Sequence, residues 1–506
     1  MLGSTKLQHG LGRLQSEDTP LLAHVLVFLS ALTIRNTVEA ASTKLPLEHL
    51  AEAWGHYYLS YVSLALALVA LGHLSLRESP MRTARLVLPF FFCLLIAPCT
   101  DLILTRGAGA AINYIYAPDP VSILRRFFLF FGPRMESGVT TGMRVEIAGI
   151  LGLAFAVMRL KGGSWLRCVT STVVLYVVIF CYVATPYFVE KMLRCVVPNY
   201  SFSLKHVDYV YLLISCLLMA FLAWREAPAG FRAVMRNIRP FRLVHYELMF
   251  VMGCIIAGFK CHDLISGAKF LEGVLLCIAI GFAWLFAVLS NDLEDEAIDR
   301  ISNPGRPLAK GSLTRREYTQ WAGVSLVLAV IFAHAVHPVP MFVILGFVAN
   351  YTVYSIRPLR LKRVPVLSKL AISGNSLLLI VLGFMFAGRS PYEVPARYVG
   401  FFLLAATLAM NFIDLKDCDG DRESGIKTLP VLLGMKNAQR IIAAFWFIAH
   451  FVFAIICPVR WLALTLVPVG ALQAYLLCRR QYAEKPVFLV YLVTLVGVII
   501  IFHGTG

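Results

Sequence analysis

The chain has 506 residues, of which 59% are hydrophobic and 15% are charged, and its mean hydropathy is +0.74. A soluble protein carries about 25% charged residues, whereas the apolar residues here form runs of roughly 15–22 residues, the length that crosses a hydrocarbon core as a helix. Composition therefore excludes a soluble globular protein. The formal net charge of +17 does not indicate a nucleic-acid partner, because the Lys and Arg residues lie in short loops between apolar runs, where membrane topology accounts for them.

Six apolar runs in the first half of the chain are predicted membrane spans. They lie near residues 21–40, 57–76, 86–104, 142–160, 166–188 and 207–224. Arg35 interrupts the first run, and Arg144 and Glu146 interrupt the fourth. Charged residues at the edges of spans, including Asp101 and Glu146, suggest a function. The favoured interpretation is nevertheless an ion pair that joins helices. No catalytic constellation is visible in this half, and scaffolding, delivery of a lipid acceptor and regulation all stay open.

A basic segment follows, residues 225–246, with five Arg and two Pro residues. We predict that it is a cytoplasmic linker between an N-terminal multi-span domain at 1–224 and a second membrane domain at 247–506. About nine spans are predicted in the second domain, near 247–260, 271–290, 320–336, 338–354, 367–388, 397–413, 438–457, 460–478 and 486–503. We predict that the N-terminus and the active site are cytoplasmic, because the loops rich in Lys and Arg then face the cytoplasm as well. The sequence thus predicts a multi-pass integral membrane protein.

An acidic cluster stands at the predicted cytoplasmic end of the span near 271–290. Asn291, Asp295 and Asp299 are spaced i, i+4 and i+8, which stacks their side chains along one helical face. Three oxygen ligands on one face suit Mg²⁺, which usually completes its shell with water and substrate phosphate. A solvated acidic helix end is the alternative, and it is disfavoured because the predicted cytoplasmic loops are otherwise basic.

A second acidic cluster lies where the span near 397–413 reaches the same side. Asp417 and Asp421 are spaced i, i+4, and Asp414 stands one turn earlier. The string resembles the start of an EF-hand loop but lacks the later Glu. Two acidic clusters on one membrane face indicate a shared ligand. A diphosphate bridged by Mg²⁺ ions fits, since carboxylates without a metal would repel it.

Basic residues between the two clusters are candidate contacts for diphosphate oxygens. Arg360 and Lys362 lie in the segment 354–363, and Arg306 lies in an Asn-Pro-Gly-Arg-Pro string. For the segment taken alone, an ordinary positive-inside loop is the alternative. Beside two metal-binding clusters, the bidentate guanidinium of Arg and the ammonium of Lys are suitable phosphate ligands.

Three linked motifs resemble those of the UbiA-type intramembrane prenyltransferase superfamily, over about residues 235–506. They are NDxxDxxxD at 291–299 with its continuation DRxxNPxRPL to Leu308, YSxxPxRLKR at 354–363, and DxxDxxGDRxxGIKTLPxxLG at 414–434. The resemblance implies an all-α bundle of nine transmembrane helices around a central cavity, here preceded by about six further transmembrane helices. It also implies that the diphosphate lies at the cytoplasmic mouth and the prenyl tail in an apolar tunnel.

The same resemblance implies roles for individual residues. The implied Mg²⁺ ligands are Asn291, Asp292, Asp295, Asp299, Asp414, Asp417 and Asp421. Of these, Asp295, Asp299, Asp417 and Asp421 are the predicted catalytic residues. The predicted diphosphate-binding residues are Arg306, Tyr354, Arg360, Lys362 and Lys427. The expected reaction is Mg²⁺-dependent transfer of a prenyl group from an isoprenoid diphosphate to a membrane-associated acceptor, either an aromatic quinone precursor or a lipid, with membrane lipids as further partners.

Two other functions fit the sequence in part. An intramembrane terpene cyclase would ionise the same diphosphate but capture the cation with a double bond of the prenyl chain itself. A transporter or lipid-binding scaffold would use the acidic clusters as cation sites, but transport folds often show internal repeats, and the two halves share no visible motif. His245, beside the first span of the second domain, could touch an acceptor; a packing or interfacial role is the favoured interpretation.

Overall fold

The computed structural model describes residues 2–43, 47–132, 139–423 and 425–505. Every regular element in these ranges is a helix, which confirms the predicted all-α membrane fold. The chain divides into two compact units, Met1–Phe231 (unit 1) and Arg232–Gly506 (unit 2). The boundary falls within the segment 225–246, which is largely helical rather than extended. The functional division into domains at 1–224 and 247–506 stays a prediction.

Ten helices lie within the described part of unit 1. They are α1 (Leu2–Leu14), α2 (Leu21–Thr43), α3 (Leu47–Leu76), α4 (Pro80–Val87), α5 (Ile96–Leu104), α6 (Pro120–Phe128), α7 (Thr141–Leu160), α8 (Trp165–Val183), α9 (Thr185–Val196) and α10 (Leu204–Glu226). A 3₁₀ segment at Leu88–Leu95 joins α4 to α5, so that the apolar run near 86–104 forms one continuous helical rod.

The helices of unit 1 pack around α3, which contacts α8 and α10. Another close contact joins α5 and α7 at Gly142, where an added Cβ atom would lie 2.2 Å from the carbonyl oxygen of Ala97. Two carboxylates fasten this contact: Asp101 accepts the Gly142 N–H at 2.8 Å, and Glu146 accepts the Ala97 N–H at 2.9 Å. These charges at span edges therefore join helices through backbone N–H groups.

Unit 2 follows from α11 (Pro228–Arg236), which crosses the unit boundary. Its further helices in the described ranges are α12 (Pro240–Ile256), α13 (Cys261–Ile265), α14 (Lys269–Glu294), α15 (Glu296–Ser302), α16 (Arg315–Val336), α17 (Pro338–Ser355), α18 (Pro365–Phe386), α19 (Ala396–Phe401), α20 (Thr407–Ala409), α21 (Asp414–Glu423), α22 (Leu429–Leu433), α23 (Met435–Ile456), α24 (Ala463–Leu477) and α25 (Glu484–Thr505).

Local sequence signals set several helix starts in unit 2. Pro240, Pro338 and Pro365 begin α12, α17 and α18, where the missing N–H breaks no helical hydrogen bond. Thr314 caps α16 in a reciprocal pair with Glu317, whose carboxylate accepts the Thr314 N–H at 2.8 Å. These starts fix where the loops before α16 and α18 end, and those loops carry the basic residues of the predicted site.

Glycine permits a close helix contact in unit 2, between α12 and α18. A Cβ atom on Gly253 would lie 2.2 Å from the Ile380 carbonyl oxygen, and one on Gly383 would lie 2.2 Å from the Phe250 carbonyl oxygen. Small residues let membrane helices approach until their backbones touch. The contact holds together two helices that both contribute to the site described below.

Thirteen helices in the described ranges are long and apolar enough to cross a membrane, five in unit 1 and eight in unit 2. Helices α7 and α12 also occupy the predicted spans 142–160 and 247–260. The predicted span near 397–413 is irregular, with a π-helical turn at Phe402–Ala406 and a 3₁₀ turn at Met410–Ile413 directly before Asp414. Irregular turns of this kind are frequent at functional sites.

Candidate active site

Unit 2 contains a cavity of about 500 Å³, which we call the unit 2 cavity. Its wall includes residues of both acidic clusters. Nine of the residues predicted from the sequence line it, namely Asn291, Asp295, Asp299, Arg306, Tyr354, Lys362, Asp414, Asp417 and Asp421. They come from helices α14, α15, α17 and α21 and from the loops between helices. The fold therefore gathers segments that are far apart in the chain at one cavity.

The first acidic cluster lies where α14 gives way to α15. Asp295 ends α14 with φ −101° and ψ 9°, and α15 begins at Glu296, so the single helix expected for this motif is broken in the middle. The i to i+4 spacing survives the break. The Asp295 N–H donates to the Asn291 carbonyl at 2.9 Å, and the Asp299 N–H donates to the Asp295 carbonyl at 2.8 Å. All three side chains consequently still face the same cavity.

Three basic side chains contact the carboxylates of the first cluster. Arg306 donates to Asp299. Arg360 donates to Asp295 at 2.8 Å, and Lys362 donates to the same carboxylate oxygen. Arg360 has a φ of 42°, in the left-handed region that non-glycine residues rarely adopt, and backbone strain of this kind tends to cluster at functional sites. The predicted phosphate contacts thus lie directly against the predicted metal ligands.

Burial dominates the electrostatics beside the first cluster. It raises the pKa of the Asp299 carboxyl to about 6; Arg306 opposes this rise, and the neighbouring charges of Asp292 and Asp295 add to it. Burial also lowers the pKa of the Lys362 ammonium, although Asp295 pulls in the opposite direction. Charge in this cavity is therefore poorly solvated, which is the condition under which the charge of a bound ligand matters most.

The second acidic cluster is carried by α21, which packs against α15. Asn303 joins the two clusters. Its Nδ2 donates to Asp299 Oδ1 at 3.3 Å and to Asp417 Oδ1 at 3.4 Å. Since one short side chain reaches a carboxylate of each cluster, a single small ligand can also reach both.

Three predicted residues do not line the cavity in the described structure. Asp292 is 1% exposed and accepts hydrogen bonds from Asn237 at 2.7 Å and Arg239 at 2.5 Å. These contacts hold the carboxylate within the protein, and its role as a metal ligand stays a prediction. Arg360 is buried behind the cavity wall, where it contacts Asp295. Lys427 is exposed, and its contact with phosphate stays a prediction.

Lys369 is a cavity residue that the sequence analysis missed. Its ammonium donates to Asp414 Oδ1 at 2.5 Å, and the side chain is almost completely buried. The sequence did contain an indication of this role, because a Lys residue inside the apolar run at 367–388 is costly in a membrane and therefore suggests a function. Arg242 and Glu484, paired at 3.0 Å on the same wall, gave no such signal, since their pairing requires α25 to lie beside α12.

His245 also lines the cavity, and the packing or interfacial role that the sequence favours for it stays a prediction. Its Nε2 lies 2.9 Å from Ser376 Oγ and its Nδ1 lies 2.8 Å from the Tyr491 hydroxyl. The remaining wall is rich in aromatic side chains, namely Tyr246, Trp284, Tyr351, Trp446, Phe488 and Tyr491. The cavity therefore combines a densely charged part with a large aromatic part.

The oxygen atoms on the wall fit a magnesium ion, which is held in proteins by one or two carboxylates together with water and phosphate oxygens. No group of three His, Cys, Asp or Glu side chains in the described ranges already surrounds one point, and Mg²⁺ does not require one. The described wall carries seven basic and six acidic side chains. A multiply charged diphosphate would therefore leave surplus negative charge in a buried site unless a cation accompanied it.

Known proteins resemble the part of the chain that carries this cavity. The UbiA prenyltransferase family matches residues 249–496. The digeranylgeranylglyceryl phosphate synthase of Methanoculleus marisnigri is 25% identical over 238 residues, which cover 47% of this chain and 77% of that protein. The naringenin 8-dimethylallyltransferase 2 of Sophora flavescens, a chloroplastic protein, is 28% identical over 238 residues, which cover 44% of this chain and 58% of that protein.

A solved structure of a UbiA homolog from Archaeoglobus fulgidus bound to GPP and Mg²⁺ has a TM-score of 0.44 and 18% sequence identity, and the match covers 54% of this chain and 98% of that chain. The family match lies within unit 2 and contains both acidic clusters and the basic segment between them. The unit that carries the cavity belongs to the UbiA prenyltransferase family.

Proposed function

We propose that the chain transfers a prenyl group from an isoprenoid diphosphate to a lipophilic acceptor, with Mg²⁺ as its cofactor. One observation carries the proposal: two acidic clusters and a set of basic side chains share a cavity whose other wall is aromatic. The charged part suits the diphosphate, and the aromatic part suits the prenyl chain. Family membership implies prenyltransferase activity in general, and the cavity is the basis for assigning its parts.

The donor's diphosphate group would lie between the two acidic clusters. Asn291, Asp295, Asp299, Asp417 and Asp421 are the proposed metal ligands, since all five present oxygen atoms to the cavity. Bound Mg²⁺ would neutralise charge on the diphosphate and on the group that leaves. Asp292 is left out of this set because its carboxylate already accepts hydrogen bonds from Asn237, Arg239 and Tyr318.

Basic residues of the chain would bind the phosphate oxygens directly. Arg306 and Lys362 lie on the cavity wall, and their fixed positive charges favour the negative charge that develops as the bond from carbon to oxygen breaks. Arg360 stands behind Asp295 and would orient that carboxylate through its hydrogen bond. The charges are held in place before the reaction, so little reorganisation is needed when the diphosphate leaves.

The aromatic part of the cavity would hold the prenyl chain and protect the allylic cation from water. Aromatic faces stabilise nearby positive charge, and Tyr351, Trp284 and Tyr491 offer such faces. His245 stands in the same part and is held by Ser376 and Tyr491, so it would orient an acceptor hydroxyl. The named relatives include enzymes for a glyceryl phosphate lipid and for an aromatic flavonoid, which supports a lipid or an aromatic acceptor here.

The test is product formation by the purified full-length protein. Farnesyl or geranylgeranyl diphosphate is incubated with Mg²⁺, with and without a lipid or phenolic acceptor, and products are identified by mass spectrometry. The matched variants are Asp417→Asn, on the cavity wall, and Asp419→Asn, whose side chain is 90% exposed. We expect Asp417→Asn to reduce the rate by roughly 100-fold and Asp419→Asn to leave it unchanged.

Three results would count against this proposal. If no diphosphate is released from any donor, the cavity does not ionise prenyl diphosphates. If hydrocarbon forms in the absence of an acceptor, the chain is a terpene cyclase that uses the same cavity. If Asp417→Asn and Asp419→Asn are equally active, the acidic clusters do not hold the metal.

A further inference from the structure

Unit 1 has a cavity of its own, about 370 Å³ in volume, which the reaction proposed for unit 2 does not use. Helices α3, α7 and α8 contribute much of its wall, and the wall is mostly aliphatic, with Leu68, Ile150, Leu153 and Leu175 as examples. Small-molecule sites in proteins have volumes of about 300–1,000 Å³. The unit 1 cavity can therefore hold a hydrophobic molecule of modest size.

One group of polar side chains on this wall surrounds Arg35. The guanidinium is 2% exposed and pairs with Glu39 at 2.5 Å. It also lies over the rings of Tyr57 and Tyr61, at 5.4 and 5.1 Å from their centroids. Glu146, a second buried carboxyl residue, is on the same wall. Because Arg35 already pairs with Glu39 and a second carboxyl group stands nearby, this group offers hydrogen bonds without the surplus positive charge that an anionic ligand would need.

A second polar group is centred on His56, which also lines the cavity. Its Nδ1 lies 2.5 Å from Asp208 Oδ1, and its Nε2 lies 2.5 Å from the Tyr114 hydroxyl. Tyr211 donates to the Tyr114 hydroxyl at 3.3 Å and stacks on Tyr182 with ring centroids 5.6 Å apart. Both imidazole nitrogens are engaged within the protein, but the Tyr114 and Tyr211 hydroxyls can each make a further hydrogen bond. Flat aromatic faces accommodate another ring. This group is suited to a hydroxyl on an aromatic ring.

We propose that the unit 1 cavity binds a hydrophobic molecule with a compact, uncharged, hydroxylated ring, of the phenol or quinol class. The aliphatic wall would take the hydrophobic chain, and the groups around Arg35 and His56 would hydrogen-bond the hydroxyls. A diphosphate is disfavoured because Arg35, the one Lys or Arg residue on the described wall of this cavity, already pairs with Glu39. A cationic amine is disfavoured because Glu39 already pairs with Arg35 and Glu146 already accepts the Ala97 N–H. The proposal concerns unit 1 by itself and is independent of the reaction proposed for unit 2.

The test is photolabelling of the full-length protein in lipid nanodiscs. The probe is a farnesylated phenol with a diazirine in its isoprenoid chain, and labelled peptides are located by mass spectrometry. We expect labelled peptides from α3, α7 or α8. Unlabelled farnesylated phenol should suppress this labelling at concentrations about tenfold lower than farnesyl diphosphate or farnesylamine. Labelling of unit 2 is scored separately, because an acceptor can bind there too.

Two variants fill the unit 1 cavity from different helices, Ala154→Phe on α7 and Ser171→Leu on α8. The control is Leu217→Phe, at a position on α10 that is 71% exposed. Both filling variants should reduce labelling of unit 1 by about tenfold and leave labelling of unit 2 unchanged, and the control should alter neither. The proposal is overturned if unit 1 is never labelled, if both filling variants are labelled like the control, or if the diphosphate or the amine competes as well as the phenol.

Discussion

Lys369 and Asp414 form an ion pair inside the unit 2 cavity, and replacing Lys369 by Met tests whether this pair holds the site together. The nitrogen and oxygen atoms are 2.5 Å apart, and the two residues are 2% and 9% exposed. Lys369→Met keeps the unbranched apolar stem of the side chain and removes the ammonium group. The Asp414 carboxylate is then left buried without its partner.

The size of the effect follows from burial. An exposed ion pair contributes about 0–1 kcal/mol, whereas removal of one member of a buried pair costs about 3–5 kcal/mol because the other charge stays buried. Arg242 on the same wall compensates part of the lost charge, so we expect a decrease in the free energy of unfolding of about 3 kcal/mol. In the double variant Lys369→Met with Asp414→Leu both charges are gone, and its stability should lie within about 1 kcal/mol of the unaltered protein.

The measurement is unfolding of the purified full-length protein by SDS, followed by circular dichroism. Lys416→Met is the matched control, because Lys416 is 46% exposed and lies 3.8 Å from Glu484; it should cost less than about 1 kcal/mol. The reasoning is refuted if Lys369→Met is as stable as the Lys416→Met control. It is also refuted if adding Asp414→Leu to Lys369→Met restores no stability.

Four further predictions can be checked on the same purified protein. Asp292→Asn should lower the free energy of unfolding by about 3 kcal/mol because Arg239 and Arg306, whose side chains are 21% and 17% exposed, lose this counter-charge. The KM for the prenyl diphosphate should change little because Arg306 keeps its contact with Asp299; a large change in KM at unaltered stability would contradict this. Gly383→Leu should cost about 3 kcal/mol in SDS unfolding because its Cβ would meet the Phe250 backbone, whereas Gly281→Leu, with open space around it, should be tolerated; equal losses would contradict the close contact of α12 and α18. His245→Phe should raise the KM for the acceptor and leave that for the diphosphate unchanged in steady-state kinetics, and parallel increases would argue against contact with the acceptor. Chelation by EDTA should stop product formation and added Mg²⁺ should restore it, and turnover that persists in EDTA would rule out the metal.

Much of the fold could be predicted because the membrane imposes simple requirements on sequence. A helix that crosses the hydrocarbon core needs about 20 apolar residues. Most predicted spans correspond to helices whose first and last residues lie within a few residues of the expected ones. The two acidic clusters were also visible in the sequence, because carboxylates are costly in apolar surroundings and stand out against them. Asn291, Asp295 and Asp299 kept their common face even though the helix breaks at Asp295, since the i to i+4 hydrogen bonds continue through the break.

The partners of these side chains could not be predicted in the same way. Asp292 and Asp295 lie three residues apart in one motif, yet their partners differ. Asp292 accepts hydrogen bonds from Asn237 and Arg239, whereas Asp295 accepts one from Arg360 and lines the cavity. Such contacts depend on which helices are neighbours, and neither periodicity nor spacing carries that information. The same holds for Lys369, whose role became clear only when α18 and α21 were seen to face one cavity.

The sequence by itself determined the membrane class, most of the spans, the resemblance to the UbiA family and the residue types of a predicted diphosphate and metal site, because hydrophobic length and clustered charge are local properties. Tertiary structure decided which carboxylates face the unit 2 cavity, which cations pair with them, and that His245 stands among its aromatic residues. It also revealed the unit 1 cavity, whose wall brings together Arg35, His56 and Glu146 from three different helices. No local sequence pattern predicts such a cavity, because the cavity is the space left between packed helices.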